Sequence, residues 1–261
     1  MKRSIILFLT VALTHALPAQ TGQIKHKVCW FDLQIAQHIG LNSWSNADYV
    51  NNGFHPTAIT EFRGVFNLAI IKKRVGIFAD MGLGIMPAPK MQSLDLEKMP
   101  TPYSGTQYYL RETFSGPDNG NPGANFKMTF GAFGKIPAND ALTIMPYLGA
   151  GFMTMPQTKY EVMLKEQGSN MQYQTTYSWN YQDNYEYNEP ELFGYFTGRL
   201  NFKYRVSSKT NLLFGLEYTR FYDSLDFYGK YSNIFNENIE KEFIVKGNKV
   251  NMFGISVGIS F

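Results

Sequence analysis

The sequence predicts an all-β fold: an eight-stranded antiparallel up-and-down transmembrane β-barrel with long loops on one rim. Three observations predict it. Apolar and polar residues alternate with a period of two along eight segments. The connections between those segments alternate between short and long. The apolar face carries no charge, while the other face is rich in Gly, Ser, Thr and Ala with scattered charges.

The elements follow in chain order. The first sets Phe31, Leu33, Ile35 and Ile39 against Asp32, Gln34, Ala36 and His38. The second sets Phe62, Phe66, Leu68 and Ile70 against Glu61, Arg63, Asn67 and Ala69. The third sets Val75, Ile77, Met81, Leu83 and Ile85 against Gly76, Asp80, Gly82 and Gly84. The fourth opposes Phe126, Met128, Phe130 and Ala132 to Lys127, Thr129, Gly131 and Lys135. The fifth opposes Leu142, Ile144, Leu148 and Phe152 to Thr143, Tyr147, Gly149 and Gly151.

In the sixth, Leu192, Phe196, Leu200, Phe202 and Tyr204 face away from Tyr195, Thr197, Arg199 and Asn201. In the seventh, Leu212, Phe214, Leu216 and Tyr218 face away from Gly215, Glu217 and Thr219. The eighth runs from Phe253 through Ile255, Val257 and Ile259 to Phe261, against Gly254, Ser256, Gly258 and Ser260. Each run is about nine to eleven residues or slightly more, the length a tilted strand needs to cross a bilayer. Short turns are expected at 72–74, 137–140 and 206–210, and long loops at 42–56, 87–124, 153–190 and 223–249. An even strand number puts both termini on the short-turn, periplasmic side. Pro146 falls inside the fifth run and lacks the N–H that a closed ladder uses; a bulge or a shifted register would accommodate it.

Composition narrows the class. The chain has 261 residues, 44% hydrophobic and 16% aromatic, with a net charge of +3. It is too apolar for a disordered chain, and its charge gives no argument for nucleic acid. Lys2, Arg3, the apolar run over 5–13, Ala16 and Ala19 read as a secretory signal peptide over residues 1–19. The barrel domain then covers 20–261. No other run is long and apolar enough for a membrane helix. Cys29 is the single cysteine, reads as inert, and allows no intramolecular disulfide.

A period-two sheet also fits a soluble lipocalin-like carrier, but such a barrel puts its solvated side chains outside. Here the face with the charges is the one crowded with small residues, which suits a narrow interior. Asp32, Glu61, Arg63, Asp80, Lys127, Arg199 and Glu217 are therefore expected to form a polar network in the lumen. An ion-pair plug is the favoured reading over a proton or ion path.

The chain resembles the small eight-stranded barrels of the OmpA-transmembrane and OmpX type. It is similar above all to the "outer membrane protein beta-barrel domain" proteins common in Bacteroidota, including PorT-like ones. The signal peptide, the eight alternating segments and the ending Asn251-Met252-Phe253-Gly254-Ile255-Ser256-Val257-Gly258-Ile259-Ser260-Phe261 carry the resemblance. It implies an outer-membrane location, contact with outer-membrane lipid and lipopolysaccharide, and recognition of the terminal Phe261 by the outer-membrane assembly machinery. It implies little about molecular function.

Catalytic and cofactor motifs are not found. No HExxH, paired Cys/His spacing or GxSxG is present, so neither a metal nor a cofactor is expected. A lipid-modifying barrel enzyme is the alternative, with His38 and His55 flanking Ser43 and Ser45 in the first long loop. The favoured role is structural or surface-binding. The third long loop places Tyr173, Tyr177, Trp179, Tyr181, Tyr185 and Tyr187 on odd positions, with amides and hydroxyls on even ones. An extended strand there shows aromatics on one face, a surface suited to an extracellular protein or glycan, or to packing over the barrel mouth or against the other loops. Tyr160, Val162 and Leu164, with Gly168 and Asn170 for a turn, complete a hairpin rising beyond the membrane.

Overall fold

A computed structural model describes residues 28–42, 58–86, 100–116, 123–155, 159–178, 191–207, 210–224, 226–235 and 239–261. The expected signal peptide lies outside these residues. Fourteen strands appear among the described residues. They are β1 (Cys29–Gly40), β2 (Ile59–Ile71), β3 (Val75–Met86), β4 (Tyr108–Gly116), β5 (Gly123–Gly134), β6 (Ile136–Pro137) and β7 (Leu142–Met155). They continue as β8 (Lys159–Glu166), β9 (Gln172–Ser178), β10 (Glu191–Arg205), β11 (Asn211–Ser224), β12 (Phe227–Asn233), β13 (Ile239–Val245) and β14 (Lys249–Ser260).

Eight of them close into an antiparallel barrel in the order β1-β2-β3-β5-β7-β10-β11-β14, with β14 returning to β1. Leu33 stands opposite Ile259 where the last strand meets the first. The alternating pattern sets this register, because a one-residue slip would turn every charge to the outside. Outside stand Phe31, Leu33, Ile35, Phe62, Phe66, Leu83, Leu148, Phe196, Ile255 and Val257, all exposed. Inside stand Asp32, Glu61, Arg63, Asp80, Lys127, Arg199 and Glu217, all buried. Apolar outside and charged inside is the inverse of a soluble barrel, so the soluble-carrier alternative fails and the chain spans a membrane.

The interior is not filled by small residues alone. At the short-turn end Trp30, Val65, Ala69, Phe78, Phe133, Met145 and Tyr147 form an apolar plug. Trp30 meets Phe133 edge-on at 5.1 Å and Phe78 meets Tyr147 edge-on at 5.0 Å. The glycines make room for these rings. Gly131 and Gly149 stand directly opposite each other. A Cβ on either would come within 2.9 Å of the Phe78 ring.

Pro146 needs neither a bulge nor a changed register, which corrects the expectation from sequence. The β5–β7 ladder stops at Phe133 opposite Tyr147 and resumes at Ile136 opposite Ile144 in the same register. The gap covers Gly134 and Lys135, and the Lys135 N–H donates instead to the Arg74 carbonyl at 2.6 Å. The ladder lapses at the rim, where the ring of Pro146 lies beside Gly134.

A second antiparallel sheet, in the order β13-β12-β9-β8-β4, comes from three of the four long connections. The β8–β9 hairpin turns through Gly168, whose φ of 81° is left-handed. Strands β4 and β12–β13 are additional to the sequence reading. In chain order β4 leads into β5, β8 follows β7, β9 leads into β10, β12 follows β11 and β13 leads into β14. The lateral order of the second sheet therefore repeats that of five neighbouring barrel strands.

Candidate functional site

Two constellations could carry function: the charged middle of the lumen and the sheet beyond the membrane.

Glu217 is the centre of the first. It sits on β11, flanked by Gly215 and Thr219 on the lumen face. Its carboxylate accepts from Arg63 on β2, from Lys127 on β5 at 2.7 Å and from Arg199 on β10 at 3.2 Å. Thr197 and Thr219 hydroxyls donate to it as well, at 3.2 and 3.3 Å. Arg199 also donates to Asp80 on β3 at 2.5 Å. Lys127 reaches Glu61 at 3.5 Å, and Glu61 shares a hydrogen bond with His38 at 2.8 Å. Arg63 donates its Nε to Gln34 at 3.0 Å.

Asp32 stands apart from this cluster, nearer the short turns, where Asn67 donates to it at 2.9 Å and Tyr147 in turn donates to Asn67 at 3.0 Å. Lys203 lies at the same end, donating to Ser260 at 2.6 Å with its ammonium 4.9 Å from the Trp30 ring. The structure thus brings six of the seven lumen residues into one network and leaves Asp32 in a second, smaller one. Every side chain in them is drawn from a lumen-facing position of its strand; Arg63–Glu217, Lys127–Glu217 and Arg199–Asp80 meet across the bore, while Arg199–Glu217 and His38–Glu61 join neighbouring strands. In so low a dielectric each ion is tolerated only because it is paired. Such an arrangement braces the walls.

His38 is spent on Glu61 inside the barrel and is buried. Ser43, Ser45 and His55 lie outside the described residues. No group of three or more His, Cys, Asp or Glu that could hold a metal ion occurs among the described residues. Cys29 is exposed and unpaired. Phe261 is exposed at the end of the closing strand, and its N–H donates to the Phe31 carbonyl at 3.0 Å.

In the outer sheet, Leu164, Tyr173 and Asn233 form one cross-strand row, and Val162, Thr175 and Tyr231 the next. All six are buried. What covers Tyr173 is the chain leading into β4. Tyr103 and Tyr108 meet its ring edge-on at 5.9 and 5.8 Å. Tyr231 donates to the Pro100 carbonyl, and Lys241 donates to that of Thr101 at 3.0 Å. Tyr173 is only 2% exposed, which corrects its assignment to a binding surface: its ring packs the sheet against this strap. Tyr177 lies on β9, opposite Tyr160 and Gly229 in the ladders. Trp179, Tyr181, Tyr185 and Tyr187 lie outside the described residues. The other face is partly exposed among the described residues. There Met163, Gln174 and Ser232 form a row beside Lys165 and Gln172, all partly exposed. Sequence reasoning missed this, because alternation tells which residues share a face but not which face a distant loop will cover.

Asp226, between β11 and β12, is tied to the link between β13 and β14. It accepts from Lys246 Nζ at 2.7 Å and from the Gly247 N–H at 2.9 Å. Partial burial pushes its pKa up, but these donors outweigh that and hold it below the ordinary carboxylate value.

No family model matches the chain, and no curated protein does. Several solved structures do. Neisserial surface protein A aligns at 11% identity over 90% of this chain and 96% of its own, with a TM-score of 0.41. A major outer membrane protein from Thermus thermophilus aligns at 9% identity over 90% of this chain and 99% of its own, with a TM-score of 0.43. Ail, the attachment invasion locus protein of Yersinia pestis, aligns at 9% identity over 89% and 97%, with a TM-score of 0.38. At such scores the likeness adds nothing to what the closed wall establishes: an eight-stranded barrel, lipid-facing outside and charged inside, is of the outer-membrane type.

Proposed function

We propose that this protein is an integral outer-membrane barrel whose plugged interior anchors a stiff extracellular sheet, and that the sheet's partly exposed face binds an extracellular protein or glycan. The observation that carries this reading is the repetition of five barrel strands, in the same lateral order, in the second sheet. A recognition surface on extended wall strands is held more rigidly than one on free loops. On this face Ser232 carries a hydroxyl and Lys165 an ammonium, groups that suit hydrogen bonding to sugar hydroxyls or to peptide groups, and Gln172 and Gln174 lie in the rows beside them. Outer-membrane lipid and lipopolysaccharide surround the belt below it, and the assembly machinery would read Phe261. The closer kinship, to the PorT-like barrels of Bacteroidota, rests on the signal peptide, the eight alternating segments and the ending at 251–261, and belongs to the same proposal.

The test is capture by the full chain in detergent or nanodiscs. A glycan array and a pull-down from the native surface milieu are compared with Gln172→Ala/Gln174→Ala. Binding that the double variant weakens while the barrel stays heat-modifiable supports the reading; equal binding by both, or none by the intact protein, overturns it. Lipid A from cells with and without the protein is expected to be identical by mass spectrometry. Altered acyl chains would favour a lipid-modifying enzyme instead.

A further inference from the structure

The turn between β2 and β3 is closed by the Arg74 N–H donating to the Ile71 carbonyl at 2.8 Å. Its two central residues, Lys72 and Lys73, have φ of 45° and 56°, both left-handed. Tight hairpin turns with that backbone favour Asn-Gly, because a Cβ is disfavoured there. Two lysines occupy it instead, and Arg74 follows. All three are exposed, and none is in an ion pair among the described residues. A backbone outlier kept with an unfavoured residue points to a role for the side chain.

The surroundings say what that role is. Ile70 and Ile71 are each 60% exposed and Val75 is 45% exposed, so the lipid-facing belt runs up to the turn on both sides. The next turn lies against it through the bond from Lys135 N–H to the Arg74 carbonyl. There Lys135 adds a further cation, its ammonium turned inward over the Trp30 ring at 3.6 Å. Arg205 of the third short turn donates to the Asp140 backbone carbonyl. Asp140 is the only acidic side chain among the described residues of these three turns. Ile136 and Val206, 55% and 50% exposed, continue the belt beneath them. Long cationic side chains where an apolar belt ends lay their stems along the acyl region and their charges among phosphates.

We propose that the β2–β3 turn is a docking site for anionic phospholipid: Lys72, Lys73 and Arg74 hold the phosphate-diester headgroups of the leaflet that faces the short turns. The lipid, rather than a soluble anion, is the occupant because the cations are continuous with Ile70, Ile71 and Val75.

The experiment uses the full chain refolded in nanodiscs of phosphatidylcholine containing about one-fifth phosphatidylglycerol, enough to give an anionic surface. Lipids that stay with the barrel after release are counted by native mass spectrometry. Phosphatidylglycerol is expected to be enriched over its share of the bilayer. Each cation at an anionic surface contributes a factor of about five. Lys72→Asn/Lys73→Gly, which installs the favoured turn sequence, is therefore expected to cut the enrichment by roughly tenfold or more. Lys72→Gln/Lys73→Gln, which keeps the stems, should do the same if the first variant fails to refold. Unchanged enrichment in a heat-modifiable variant overturns the proposal. So does displacement of the lipid by inorganic phosphate, which would mark a free-anion site, and so does no enrichment in the intact protein.

Discussion

Arg199 on β10 reaches across the lumen to Asp80 on β3, its Nη2 2.5 Å from Oδ2, while its Nε holds Glu217 on the neighbouring strand at 3.2 Å. One guanidinium thus ties three strands, two of them on the far side of the bore from each other. Glu217 gathers Arg63 and Lys127 into the same knot. Removing it leaves three buried cations short of an anion. Glu217→Ala is expected to destabilise the refolded barrel by about 3–5 kcal/mol, the usual cost of stranding a buried charge. Guanidinium unfolding curves of intact and variant protein measure it. A change below about 1 kcal/mol would mean that the lumen is hydrated well enough to carry the charges unpaired.

No sizeable conductance is expected. The apolar plug of Trp30, Phe78, Phe133 and Tyr147 closes the short-turn end, and the knot around Glu217 fills the middle. Eight strands leave no bore beyond what side chains fill. Planar-bilayer recordings of the pure protein check this; steady, large single-channel steps would show that the plug moves aside.

Gly131→Ala is expected to be far more damaging than Gly198→Ala. At Gly131 the new methyl would land on the Leu148 carbonyl oxygen and against the Phe78 ring, while at Gly198 its nearest neighbour is a Leu148 methyl at 3.7 Å. Backbone cannot yield as a side-chain tip can. Refolding yield on heat-modifiability gels should fall sharply for the first variant and stay unchanged for the second. Equal yields would mean that β5 and β7 separate at little cost.

How much of this was legible in the sequence depends on the range of the interaction. The eight barrel strands were, because a strand with lipid on one side and lumen on the other records its sidedness every second residue. Asp80, Glu217 and Arg199 could all be assigned to the lumen for that reason, although their pairing with one another could not. Pairing across the bore is between residues far apart in the chain, and alternation is silent on it. Strands β4, β12 and β13 were missed on the same grounds, since each finds its neighbour in another loop. Pro146 misled because a ladder can lapse near a rim without any change of register. For Tyr173 the sequence left binding and packing against other loops both open, and could not choose because its cover, Tyr103 and Tyr108, comes from a different connection.

Acid is expected to loosen the outer sheet before the barrel. Asp226 has its pKa lowered by Lys246 and Gly247 against the opposing effect of partial burial. A carboxyl whose folded value is depressed contributes stability above its unfolded value, about 3.9, and loses it as pH falls through the lower folded value. The protection of the Gly247 amide against hydrogen exchange, relative to its intrinsic rate, should therefore fall below about pH 4. Asp226→Asn should show no such acid step. A step of equal size in the variant would assign it to another group.

Excising residues 161–188 is expected to leave the membrane barrel intact and to collapse the outer sheet. The cut takes nearly all of β8 and all of β9, which occupy the middle of the order β13-β12-β9-β8-β4. Strand β4 then loses its sole neighbour, and β12 keeps only β13. Tyr103 and Tyr108 lose the Tyr173 ring they pack on, so the strap over 100–107 keeps only its bonds to Tyr231 and Lys241. The barrel keeps all eight of its strands, since β7 ends at Met155 and β10 begins at Glu191. The truncated chain should stay heat-modifiable and resist carbonate extraction, while protease cuts appear in 100–116 and 226–245 that the intact sheet prevents. Tyr173→Ala should reproduce those cuts more weakly, because it removes the ring but leaves the ladder. If the truncated chain fails to insert, the outer sheet is part of the barrel's own folding unit. The two would then be one cooperative structure, rather than an anchor and the surface it carries.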